Sequence, residues 1–251
     1  MLKTLKTLDL QTRIMLIALS AGLVVCLVMM TVSPARSALV FQSDDYVAEI
    51  QQTHIGVTLT ENGVDVDPDA KGVGKLLDQD AGWQIVNAST GAVEEFMAPG
   101  QVYREFLSVK NVSADMDEYV RLTVRKYWAA GENGEPQKSA TLDPALIELV
   151  LDDEFDENWV RSDAECTDER EVYYYRPVLE KNTAAAPAVA GIRVSDAIKN
   201  VKQDYSNCYL ALSAQVDSVQ VNNAAAAAKS AWGVDVQALG LDQWSDETAG
   251  E

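Results

Sequence analysis

The stretch that most constrains the fold runs from Pro99 to Trp128, PGQVYREFLSVKNVSADMDEYVRLTVRKYW. Val120, Leu122 and Val124 alternate with Tyr119, Arg121, Thr123 and Arg125. A period of two built from β-branched and aromatic residues is the pattern of a half-buried strand. Tyr103, Leu107 and Val109 share one face of a preceding strand, which Glu105 interrupts. Asn111 to Asp117 is polar and continues neither pattern, so the stretch reads as a core hairpin of a β-sandwich. Within it, Val120, Leu122 and Val124 are expected in the core. Arg121 and Arg125 are expected to pair with carboxylates on the sheet face or, alternatively, with the acidic surface of a neighbouring subunit.

Further strand patterns lie on both sides. Ile55, Val57 and Leu59 alternate against His54, Thr58 and Thr60, ending at Glu61-Asn62-Gly63. Trp83 to Val86 and Ile192 to Val194 read as short strands, and Asn158 to Val160 with Val172 to Tyr175 as short strands of a hairpin whose loop is Arg161 to Glu171. Pro144 to Leu151 is ambiguous between helix and strand. Val64 to Ala81 reads as a long loop with one helical turn at Lys75 to Leu77. Tyr209 to Val221 is the longest strand, and its apolar phase moves from Leu210, Leu212, Ala214 and Val216 to Val219 and Val221. That shift predicts a bulge near Asp217-Ser218. Asn222 to Trp232 has helical composition, with Asn223 as N-cap and Gly233 as terminator. The expected organisation is an export segment over 1–37, a β-sandwich over 38–233 and an acidic, partly disordered tail over 234–251.

Charge and export signals narrow the class. The chain has 20 basic and 39 acidic residues, of which Lys3, Lys6, Arg13, Arg36 and Asp9 precede Ala38. From Ala38 onward there are thus 16 basic and 38 acidic residues. A surface of that sign repels phosphate backbones, which excludes a nucleic-acid binder. Ile14 to Val32 is a 19-residue uncharged run preceded by positive residues. Ala35-Arg36-Ser37 offers a signal-peptidase site before Ala38, with Ser33-Pro34-Ala35 as second choice. A run of that length also suffices for an uncleaved membrane anchor, which would be the chain's only membrane contact. Both readings place the remainder outside the cytoplasmic membrane.

Cys26 lies within the apolar run as a small hydrophobe. Cys166 and Cys208 are the only cysteines of the exported part. A disulfide between them is expected in an oxidising compartment, worth roughly 4 kcal/mol by loop closure; two free thiols are the alternative.

Catalytic and metal motifs are scarce. His54 is the only histidine, which excludes HExxH zinc sites and Cys/His fingers and leaves no Ser-His-Asp set. No catalytic residues and no cofactor are assigned. Calcium is a weak alternative at Asp65-Asp67-Asp69 with Asp78-Asp80, or at Asp152 to Glu157, which read by default as solvated acidic loops. Gly72-Val73-Gly74-Lys75 lacks the strand and spacing of a phosphate loop. The sequons at Asn87 and Asn111 are short enough to be chance matches.

Three separated stretches resemble one family. They are the basic start and apolar segment leading to HIGVTLTENG (His54 to Gly63); Ala98-Pro99-Gly100 with SVKNVS and EYVRLTVRKYW; and NWV with YYYRPVL, followed by ALSAQVDSVQVNNAAAAAKSAWG (Ala211 to Gly233). Their order and spacing resemble the TasA/CalY (camelysin) family of secreted bacterial proteins. The resemblance implies an all-β, jelly-roll-like antiparallel sandwich with short helices in the connecting segments. It also implies removal of the signal by a SipW-type peptidase and self-association into extracellular fibres of a biofilm matrix or cell surface. In such fibres the N-terminal strand of one subunit completes a sheet of the next. Leu39, Val40, Phe41, Tyr46, Val47 and Ile50 would form that donor strand here; folding back into its own sandwich is the alternative. Some members carry a peptidase label, so a metal-dependent extracellular endopeptidase is a second reading, although no catalytic set maps onto this chain. A monomeric, membrane-anchored binding module is a third.

Overall fold

The computed structural model describes residues 56–66, 73–77, 83–130, 137–205 and 208–245. Its strands are β1 (Val57–Glu61), β2 (Val64–Asp65), β3 (Val73–Lys75), β4 (Val102–Asn111), β5 (Glu118–Ala130), β6 (Gln137–Lys138), β7 (Ile147–Leu151), β8 (Trp159–Arg161), β9 (Arg170–Tyr175), β10 (Val189–Val194) and β11 (Cys208–Gln220). All pair antiparallel, in two stacked sheets. The first has the order β2-β1-β4-β10-β7 and the second β3-β11-β5-β9-β8, with β6 beside the end of β5. The chain is an all-β antiparallel sandwich.

The expected hairpin is not one. β4 lies in the first sheet and β5 in the second, so the polar stretch between them is a corner that carries the chain across the sandwich. Asn111 pins that corner. Its Nδ2 donates to the carbonyls of Met116 and Leu179, and its Oδ1 accepts the N–H of Ser113. An alternating pattern states which residues face the core but not which strand lies alongside. Each strand therefore finds its neighbours elsewhere: β4 pairs with β1 and β10, and β5 with β11 and β9.

Between the sheets, Val120, Leu122 and Val124 are fully buried against Leu59, Leu107, Val109 and Ile192. Fully burying an aliphatic side chain of this size stabilises by about 1.5–3 kcal/mol. β10 shifts register between Val189 and Gly191. A Cβ at Gly191 would stand 2.8 Å from Val102 Cγ1 and 2.9 Å from the Tyr103 carbonyl, so only glycine fits there. β1 and β2 join through Asn62 and Gly63, both at positive φ (51° and 82°), the conformation of a two-residue hairpin turn.

A second core covers part of the outer face of the second sheet. Helix α1 (Phe155–Asn158) is a single turn, and α2 (Ala224–Trp232) packs across the sheet. Ala224 and Ala228 of α2, with Val236, Leu241 and Trp244 after it, bury Tyr119, Val172, Tyr174 and Val219. The packed part thus runs past the expected boundary at Gly233: Val236, Leu241 and Trp244 are buried, Trp244 only 1% exposed, and 246–251 lie outside the described residues. One expectation is corrected. No bulge interrupts β11, which pairs with β5 without a break from Cys208 to Gln220. The apolar phase moves because Leu212, Ala214 and Val216 face the sandwich while Val219 faces the second core. Asn223 occupies the N-cap position, in a left-handed conformation and without a side-chain cap bond, and Gly233 ends the helix as expected.

Smaller corrections follow the same lines. Pro144–Leu146 is a 3-10 turn, which leads into β7. Val73–Lys75 pairs with β11 instead of forming a helical turn. Val86 and Asn87 make only isolated bridges, to Val93 and Tyr103.

Candidate functional site

One flank of the sandwich combines two incomplete sheet edges. β2 pairs only with Thr60 and Glu61 of β1, and β3 only with Ser213 to Gln215 of β11. The Val66 N–H still reaches the Leu59 carbonyl at 3.0 Å, but beside Val57–Thr58 and beside Val216–Gln220 no further strand is paired among the described residues. β1 and β11 stack across the sandwich, so both edges belong to the same flank. A sheet edge presents backbone donors and acceptors to any strand that can reach it.

Two buried carboxyl groups organise this flank. Glu118, the first residue of β5, is fully buried, and its Oε1 accepts the Gly56 N–H at 3.2 Å. The Gly56 carbonyl accepts the N–H of Val112 at 2.9 Å, so the peptide that opens β1 is held on both sides. Burial pushes the Glu118 carboxyl above its ordinary range, while hydrogen bonds from the Ser218 side chain and the Gly56 N–H act against that rise.

Glu105 is likewise fully buried. Its Oε2 accepts from Trp83 Nε1 at 2.7 Å and from Asn62 Nδ2 at 3.4 Å. Burial first, then the hydrogen bond and charge of Glu61, push its pKa up to about 9. At neutral pH the Glu105 carboxyl is therefore protonated. Glu61 Oε1 accepts the Leu77 N–H at 2.7 Å, while the Leu76 N–H reaches the Leu212 carbonyl at 3.2 Å. The segment through Leu76 and Leu77 thus bonds both sheets across the flank.

On the far side, Lys126 is buried within the sandwich. Its Nζ donates to the Ile147 carbonyl at 2.6 Å and lies 3.8 Å from Glu171. Burial lowers its pKa and Glu171 opposes that shift. Arg161 holds Glu171 at 2.7 Å, completing a network that ties the two sheets.

Sequence reading and structure meet unevenly. Leu39, Val40, Phe41, Tyr46, Val47, Ile50, the cleavage pair Ser37 and Ala38, and His54 lie outside the described residues. The disulfide expected between Cys166 and Cys208 is absent. Cys166 Sγ accepts the Val172 N–H, and Val172 is level with Thr123 and Gln215, whereas Cys208 pairs with Ala130 at the end of the ladder. Seven residues of strand, roughly 23 Å, separate those levels, far beyond the reach of a disulfide. Asp65 pairs with Lys110 at 3.0 Å, and Asp67, Asp69, Asp78 and Asp80 lie outside the described residues. In the run Asp152 to Glu157, Phe155 is buried against Tyr173, while Asp153, Glu154, Asp156 and Glu157 are exposed. Among the described residues no group of three or more His, Cys, Asp or Glu side chains is placed to hold a metal ion. Both sequon asparagines are buried; Asn87 donates to Glu94 and caps the turn at Ser89 and Thr90.

Arg121 pairs as expected, with Asp217 at 2.8 Å and Glu165 at 3.6 Å, and its guanidinium stands 4.8 Å over the Trp232 ring. Arg125 is exposed. The sequence reading missed Glu118, Lys126, Asn62 and Trp83. For Glu105 the signal was present, because a charge at a core-phase position marks a buried acid that needs partners. Comparison of the chain with protein-family models, with curated proteins and with solved structures found no match in any of the three.

Proposed function

We propose that the chain is a secreted, non-catalytic structural protein, a subunit of a biofilm-matrix or surface fibre. The N-terminal strand of one copy, Leu39 to Ile50, pairs with the open edges of the next, as the resemblance to the TasA/CalY family implies. The observation that carries this reading is the flank where the outer pairing of β1 and of β11 stops short among the described residues. The buried groups Glu105, Glu118 and Lys126 direct their bonds to the fold itself, which suits a scaffold. A SipW-type peptidase would free the strand by cutting between Ser37 and Ala38, leaving the product outside the cell.

Electron microscopy of the concentrated exported protein tests the reading, with a variant lacking Leu39 to Ile50 beside it. Fibres are expected from the first and a soluble monomer from the second. Polymerisation of the deletion at the rate of the intact protein would refute strand exchange. N-terminal sequencing of protein from the medium is expected to begin at Ala38; a start at Met1, confined to membranes, would favour the anchored module instead.

A further inference from the structure

α2 and the segment after it cover only one end of the outer face of the second sheet. Beyond Thr123 that face opens among the described residues: Arg125 is exposed, Tyr127 half-buried and Tyr209 60% exposed, before Ala129 is buried again at the end of β5. Register places Arg125 directly opposite Arg170 on β9 and opposite Ser213 on β11, and Ser213 in turn opposite Lys75 on β3. Arg125 and Arg170, two of the 16 basic residues found from Ala38 onward, thus stand directly opposite each other on neighbouring strands. Like charges set directly opposite each other weaken a sheet. Arg170 spends its Nε–H on the Glu165 carbonyl at 2.8 Å, and Arg125 has no ion pair among the described residues. The nearby Glu169 is taken by Lys138, which stands 6.0 Å over the Tyr127 ring. The arrangement costs stability in the isolated chain and suits an acidic partner.

We infer that this face docks the acidic segment Asp152–Glu157 of a second copy of the chain. Asp153, Glu154, Asp156 and Glu157 are exposed, and the turn that carries them is anchored by buried Phe155. The segment cannot reach the basic level of its own subunit. It precedes Trp159, which pairs with Tyr175, five residues and roughly 17 Å along β9 from Arg170. It also crosses from β7 to β8, on the flank of the sandwich and not on the face. The two surfaces are therefore different patches of one subunit, and their contact is head-to-tail, the kind that propagates into an open filament. The excess of acid over base from Ala38 onward makes copies repel at long range, so association needs such a local meeting of opposite charges. This contact deepens the fibre reading, on which its biological setting rests.

Charge exchange tests it. Sedimentation velocity of the exported protein at low and high salt is compared with Arg125→Glu, with Asp153→Lys/Glu157→Lys, and with an equal mixture of the two variants. Neither change touches a side-chain bond among the described residues, and a cooperative melting transition confirms that each variant is folded, with Arg125→Glu expected to melt slightly above wild type because it relieves the like-charge pair. Wild type is expected to self-associate at low salt and to dissociate at high salt. Each variant alone should associate about tenfold or more weakly, and the mixture should regain association. Variants that associate as wild type does, a mixture that regains nothing, or wild type that stays monomeric at low salt would each overturn the contact. Fibres seen by microscopy in those cases leave strand exchange standing. Salt-sensitive association without fibres supports the contact and refutes the fibre reading.

Discussion

Replacing Trp244 with alanine separates the two cores of this protein. The indole is 1% exposed and stacks on Tyr119 with ring centroids 4.4 Å apart. It meets Tyr174 edge-on at 5.9 Å and Trp232 at 6.2 Å. Its Nε1 donates to the Arg176 carbonyl at 3.2 Å, but Gln243 donates to the same oxygen at 2.9 Å. The carbonyl stays satisfied in the variant, so the loss is one of apolar contact and cavity. Burial of roughly 200 Å² at about 25 cal/mol per Å² gives about 5 kcal/mol, and measured Trp→Ala changes in cores span about 3–5. We take about 4 kcal/mol. The helix it holds contributes Ala224, Ala228 and the half-buried Trp232, and Trp232 itself leans on Trp244, so removing the indole takes away part of the helix's own anchor. Hydrogen exchange should therefore show the amides of Ala224–Trp232 losing up to about a thousandfold of protection while β4 and β10 keep theirs. As a control, Trp159→Ala, which strikes a fully buried residue of the inner core, should lower protection everywhere. Equal loss of protection in β4, β10 and the helix after Trp244→Ala, or none in the helix, would refute the division into two cores.

Glu105→Gln should flatten the pH dependence of stability. The folded state holds the Glu105 proton up to about 9, whereas the unfolded chain releases it near the ordinary value of 4.5. Its stabilising contribution is thus full below that ordinary value and is lost as pH rises through about 9. Glutamine keeps the shape and has no proton to lose, so melts at pH 5, 7 and 9 should show the variant gaining on wild type as pH rises; parallel curves would contradict the raised pKa of Glu105. Arg121→Ala should cost about 2–3 kcal/mol in urea unfolding, since it removes two carboxylate contacts and the stack on Trp232, and Arg121→Lys should recover only part. Reducing agent should leave the melting temperature unchanged, because Cys166 and Cys208 are unlinked; a fall of several degrees would show that they join.

Strand identity was legible from residues alone: β1 and its Asn62-Gly63 turn, β5, β8 with β9, and β10 stand out as runs of β-branched and aromatic residues, whether one face or both are buried. Pairing was legible for the hairpin of β8 and β9 and not elsewhere, because alternation is a property of one strand and pairing of two. β4 and β5 share a turn and no ladder. β11 misled for a related reason. Its two faces are covered by different partners at its two ends, so its apolar residues change parity while the backbone runs straight. The segment after Gly233 looked loose because its three anchors, Val236, Leu241 and Trp244, are spread thinly among polar residues and gain meaning only against Tyr119 and Tyr174. Of the candidate site, Glu105 announced itself by breaking an apolar face. Glu118 sat at a strand start, where a charge is ordinary, and only the approach of Gly56 distinguishes it.

The thirteen-pair ladder between β5 and β11 has a mechanical consequence. Its hydrogen bonds run perpendicular to the strands. Tension along the strands loads all of them in parallel, so they must fail together; tension across the sheet opens them one at a time. A pull arriving at Gly56 passes through Glu118 to the first residue of β5, at the end of this ladder. Directed along β5, such a pull meets the sandwich in shear, the geometry in which this ladder resists rupture most.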